Sequence, residues 1–161
     1  MKRLTLFFLA GMVLAVFGAC GSGPTDGWQE TDMMKHGLPV KMIVPPDVEV
    51  TKSSLGNQQD FMVDGGQDYY VQVLMSGGVT GSVSNIVADL RESIESNTVF
   101  HEFTHEQEDG FIYEFRLSPE LSNFGFRRVR IQGDNEFIFQ NGMSKIFTKE
   151  QARAMFDAVI P

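Results

Sequence analysis

The sequence predicts an α+β domain: an antiparallel sheet of about six or seven strands with two helices packed on it. Three observations lead there. Apolar and polar residues alternate in several short runs, and most neighbouring runs are joined by only a few residues, which forces antiparallel pairing. Two segments instead repeat apolar residues with the period of a helix. The domain takes up residues 38–161, enough chain to bury a core of its own.

The elements follow in order. Val40, Met42 and Val44 alternate in "VKMIV", and Pro45-Pro46 stop that strand. "DFMVD" (60–64) and "YYVQVLM" (69–75) flank Gly65-Gly66-Gln67-Asp68, a hairpin signal. A helix starts at Ser82 or Ser84, both suitable caps, and carries Ile86, Val87, Leu90 and Ile94 on one side. Asn97 suits its end. Strands return at about 99–107, 111–118, 125–132 and 135–140, with a turn at Gly133-Asp134-Asn135. In the last helix, Thr148 and Gln151 form a capping box, Phe147 and Ala152 a hydrophobic staple. Its apolar face is Ala152, Met155, Phe156 and Val159. This order over 38–161 resembles that of the PsbP-type domains, a resemblance that implies an architecture and no activity.

The first 37 residues read differently. Lys2 and Arg3 precede an apolar stretch, Leu4 to Val16, of secretory length. "FGAC" (17–20) ends in the chain's one cysteine. This resembles the lipobox of bacterial lipoprotein precursors, with Phe17 where that family prefers an aliphatic residue. The resemblance implies a signal peptide at 1–19, cleavage before Cys20 and lipidation of Cys20, palmitate included. Gly21, rather than Asp, follows the cysteine, which by analogy implies an outer-membrane anchor facing the periplasm. Residues 20–37, rich in Gly and polar side chains, read as a flexible tether.

The net charge is −8, and loss of Lys2 and Arg3 makes it two charges more negative. That sign excludes nucleic acid and an anionic lipid surface as partners, so attachment to a membrane is expected through the lipid. With one cysteine there is no internal disulfide.

Three stretches could carry chemistry. His101-Glu102-Phe103-Thr104-His105 spells H-E-x-x-H, the signature of the zinc metallopeptidases. Zinc chelation by that motif needs a helix, where residues four apart share a face; on a strand the same spacing covers about 13 Å. Val99, Phe100, Phe103 and Thr104 favour a strand, and Glu108-Asp109-Gly110 is a hairpin signal. A three-residue loop with Gly110 left-handed would pair Phe103 with Phe115, Glu102 with Arg116 and His105 with Tyr113. A two-residue Asp-Gly turn would instead set Phe111, Tyr113 and Phe115 against Glu108, Glu106 and Thr104. The first register is the coherent one, and it places both histidines beside Phe103 on the sheet's more apolar face. The zinc hydrolase, with His101 and His105 as ligands and Glu102 as general base, is therefore the alternative reading.

The other stretches are weaker. "SGGVTGS" (76–82) is a Gly-rich loop before a helix, without a nucleotide fingerprint. Arg128 and Arg130, on the side of Phe124 and Phe126, are a tentative anion-binding strip. No G-x-S-x-G elbow is present, and no cysteine lies within the domain. The expectation is a lipid-anchored envelope protein, not an enzyme, whose domain binds a partner protein or small ligand. No catalytic residue, metal ligand or cofactor is assigned.

Overall fold

The computed structural model describes residues 24–160. The stretch expected to be a signal peptide (1–19) and Cys20 lie outside them. The strands are β1 (Gln29–Asp32), β2 (Lys41–Val44), β3 (Glu49–Leu55), β4 (Gln58–Asp64), β5 (Tyr70–Gly77), β6 (Phe100–Gln107), β7 (Gly110–Ser118), β8 (Leu121–Gln132) and β9 (Asn135–Asn141). The helices are α1 (Val83–Glu95), between β5 and β6, and α2 (Lys149–Ala158), after β9.

Seven strands form one antiparallel sheet in the order β3-β4-β5-β9-β8-β7-β6, and β1 pairs with β2 in a separate ribbon. The α+β architecture read from the sequence is therefore the one the chain adopts. Two strands escaped that reading. β1 ("QETD") and β3 ("EVTKSSL") carry almost no buried side chain, so they lack the alternation that marks a half-buried strand. Nor do residues 29–37 behave as a tether. Asp32 caps a single 3-10 turn, Met33–His36, and Met33 is fully buried. Trp28 packs edge-on against the buried Tyr69.

Each face of the sheet has its own core. On one, α2 and the β1–β2 ribbon cover Phe61, Phe126, Phe137 and Phe139 through Met42, Met155 and Phe156. On the other, α1 covers Phe111, Tyr113 and Val129 through Val87 and Ile94. Ser82 caps α1, and Thr148 with Gln151 makes both bonds of a capping box on α2. Among the described residues no helix is long and apolar enough to cross a membrane.

The β6–β7 hairpin has neither register expected from sequence. Gln107 pairs with Gly110, so Glu108 and Asp109 alone make the turn. Gly110 does not adopt a positive φ. It is there because β8 comes too close for a side chain: a Cβ would lie 2.3 Å from the Arg127 carbonyl oxygen. Further along, Phe103 pairs with Tyr113 and Phe100 with Phe115. Two register shifts, between Phe100 and Glu102 and between Phe103 and His105, leave His101 and Thr104 as extra residues in β6. Each is a β-bulge, two residues on β6 opposite one on β7.

The bulges reassign the faces. Phe100 and Phe103, three apart, would point to opposite sides of a regular strand. Here both pack beneath α1. His101 and Glu102 instead share the opposite face, the side of Glu114, and Thr104 and His105 face α2. The histidines therefore do not flank Phe103.

Candidate metal centre

One ligand atom each from His101, Glu102 and Glu114 lies within 4.8 Å of the other two, close enough to share one ion. The bulge at His101 makes this possible, because it turns two consecutive β6 residues to one face. Pairing of Glu102 with Glu114 on the neighbouring strand supplies the third ligand.

The three donors differ in surroundings. His101 and Glu102 are exposed, whereas Glu114 is buried. The Glu114 carboxylate accepts a hydrogen bond from the Ser122 hydroxyl at 2.6 Å and one from the Arg116 guanidinium at 3.2 Å. The Ser122 bond is the main reason that Glu114 ionises below the usual glutamate range; burial opposes it, and Arg116 and then His101 assist. Both bonds fall on Oε1, which leaves Oε2 for an ion. Ser122 and Arg116 thus orient the ligand as outer partners of a metal site do.

The donor set fits a divalent ion of intermediate hardness. One imidazole and two carboxylates suit Zn²⁺ or Mn²⁺ better than a thiolate-seeking ion. Three protein donors, two of them open to solvent, would leave an ion with coordination positions not filled by the protein. This cluster argues against the flat expectation that the domain is no enzyme. That expectation tested for two histidines on one ion and missed a carboxylate arriving from the next strand. Glu114 was the residue missed. Phe100 and Phe103, apolar at odd spacing within a strand, are the sequence trace of the bulge that recruits it.

The second histidine of the motif is elsewhere. His105 lies edge-on to the Phe156 ring, and its Nδ1 is 3.4 Å from the Arg153 guanidinium. Arginine can only donate, so Nδ1 accepts and a neutral ring carries its proton on Nε2. Thr104 and His105 line a cavity of about 430 Å³ with α2. His105 belongs to the attachment of α2 and is not one of the three clustered donors.

The remaining candidates are also placed. Arg128 donates to Asp109 at 2.9 Å and to the Phe156 carbonyl at 3.0 Å, and lies over the Phe156 ring. These bonds commit it to joining α2 to the β6–β7 turn. Arg130 borders a separate depression with Glu30, Asp32 and Lys41, so the two arginines are not brought to one site. The loop 76–82 is held at Gly78 and Val79 by the Asp134 carbonyl. Compared with known proteins, the chain matches no family model and no curated protein sequence.

Proposed function

We propose that this domain is a metal-dependent hydrolase whose ion is held by His101, Glu102 and Glu114. The convergence of those three donors at a solvent-open edge of the sheet carries the reading. A divalent ion held by these three residues would supply Lewis acidity and would depress the pKa of a water on it towards neutrality, the chemistry that hydrolysis of a carbonyl or phosphoryl centre requires. The role of Glu102 differs from that of the glutamate in a helical H-E-x-x-H motif: here it is a ligand, not the general base. Ser122 and Arg116 keep the Glu114 carboxylate ionised and oriented.

The test is calorimetric titration of chelator-treated protein with Zn²⁺ and Mn²⁺, followed by assays of the loaded protein on ester, amide and phosphoester substrates. One ion per chain is expected, with binding and hydrolysis both lost in His101→Ala and Glu114→Gln. Absence of stoichiometric binding, or activity unaffected by these substitutions, would defeat the proposal.

The domain's place in the cell is inferred from residues 1–20 alone. The apolar stretch Leu4 to Val16 and Cys20 support a lipid anchor in the bacterial envelope, on the periplasmic side of the outer membrane. Palmitate labelling should mark the protein and fail in Cys20→Ala; an anchored Cys20→Ala variant would refute it.

A further inference from the structure

We infer that the proposed metal centre takes a small oxyanion, a phosphate ester or a carboxylate, and that Arg116 selects it. The inference rests on the metal reading and adds a substrate class to it.

Arg116 is 48% exposed, although it touches Glu114. Of its five N–H donors, one is used on Glu114 Oε1. Arg116 also borders a shallow depression of about 590 Å³ with Thr98, Val99, Phe100, Ser118 and Pro119, which meets the three donors only through Arg116 itself. An arginine fork with free donors beside a divalent ion is the arrangement that binds a planar or tetrahedral oxyanion, one oxygen on the ion and others on the fork. The depression, which none of the three donors lines, would take whatever the oxyanion is attached to.

Charge decides when this can happen. The two carboxylates and a divalent ion cancel, and Arg116 leaves the loaded centre with one positive charge. Without the ion the same residues carry one negative charge. The chain as a whole is at −8, so an anion has no general attraction to this surface and should bind only when the metal is present.

The experiment uses the described protein with one equivalent of Mn²⁺ and no free metal, titrated with inorganic phosphate and with acetate at constant ionic strength. Anion binding is expected to the loaded form and not to the metal-free form, and the stronger of the two anions identifies the phosphate or the carboxylate class. Arg116→Gln should weaken anion binding roughly 10-fold to 100-fold. It should also weaken Mn²⁺ binding, because Arg116 orients and helps ionise Glu114, so anion affinity is compared with Mn²⁺ at saturation. Arg116→Lys, which keeps charge and loses the fork, should fall between. A variant that merely misfolded would not load with one Mn²⁺ at any concentration, whereas Arg116→Gln should still load and then fail to take the anion. If Mn²⁺ binds but neither anion does, or Arg116→Gln binds anions as well as the parent, the anion inference is wrong and the metal reading stands. If Mn²⁺ does not bind at all, both fall.

Discussion

Deleting a residue from the middle of a strand normally turns every following side chain to the wrong face. Deletion of His101 should not. Phe100 already pairs with Phe115 and Glu102 with Glu114, so removing the extra residue between them leaves a regular ladder with every other pairing intact. The two outcomes differ measurably. A slip would turn Phe100 and Phe103 out from beneath α1, where Phe103 packs against Phe100 and Phe111 with ring centroids 4.9 and 5.0 Å apart. Half-buried phenylalanines recover part of the roughly 1.5–3 kcal/mol of full burial, so the pair is worth about 2–3 kcal/mol. Loss of the Arg91 guanidinium from the face of Phe103, 4.0 Å away, adds about 0.5–1 kcal/mol. A slip therefore costs on the order of 3 kcal/mol, whereas healing the bulge costs less than about 1 and restores ladder bonds worth about as much. With a urea m-value of about 1–3 kcal/mol/M, the slip lowers the midpoint by about 1–3 M and the healed strand by less than about 0.5 M. The healed variant should also lose metal binding, having lost its imidazole. A midpoint drop of 2 M or more (roughly the slip estimate) would refute the register on which the metal centre depends.

Other outcomes can be set beside it. Saturating metal, at about 100 times its dissociation constant, should stabilise the domain by about 2.7 kcal/mol and raise its melting temperature by about 5–11 °C, an increase absent in Glu114→Gln. Arg128→Ala should cost about 2–4 kcal/mol in denaturant unfolding, because it leaves Asp109 and the Phe156 carbonyl without their shared donor; Arg128→Lys should not restore it. Tyr69→Phe should be neutral or stabilising by up to about 1–2 kcal/mol, since the buried Tyr69 hydroxyl has no partner among the described residues and its removal ends a desolvation penalty. Glu114 and Asp64 both ionise below their ordinary values of 4.5 and 3.8, the first chiefly through Ser122 and the second through Lys145. Groups so depressed in the folded state contribute stability that is present above those ordinary values and is lost as pH falls through the folded ones. Stability should therefore fall below about pH 4.5, and more shallowly in Glu114→Gln; identical acid limbs would contradict the assignment.

The sequence carries the fold wherever an element buries one face and has a terminal signal of its own. α2 is legible because Thr148, Gln151 and Phe147 mark its start and Met155 and Phe156 mark its buried side. β4, β5 and β7–β9 are legible from alternation and glycine-bearing turns. β1 and β3 are not, because main-chain pairing holds them while their side chains stay in water, and pairing partners leave no trace in a local window. The candidate site was half legible. His101 and Glu102 stood out by spelling, but for a geometry the strand does not have. Glu114 did not stand out, because a cross-strand neighbour is fixed by register, and the Glu108-Asp109 turn followed by two bulges sets a register that neither regular alternative had. The spacing of Phe100 and Phe103 held that information, since only an irregular strand can bury both on one side.

The position of the centre on β6 also bears on how an ion would be bound. β6 is the outermost strand, and bulges there disrupt the edge against pairing with another chain. Such a strand gives up ladder bonds and needs other attachments. Arg91 of α1 pairs with Glu106 and lies over Phe103 on one face. His105 packs on Phe156 of α2 on the other. These contacts lie on the turn side of His101, and the backbone bond from Arg116 to the Val99 carbonyl lies on the other side, so both ends of the bulge are fixed by the protein alone. Two fully packed cores sustain the rest of the fold. Metal binding here therefore need not create the structure, as it does in small zinc-dependent domains; it meets donors already within reach. A preformed cluster of this kind would lose little of an ion's binding energy to ordering the chain.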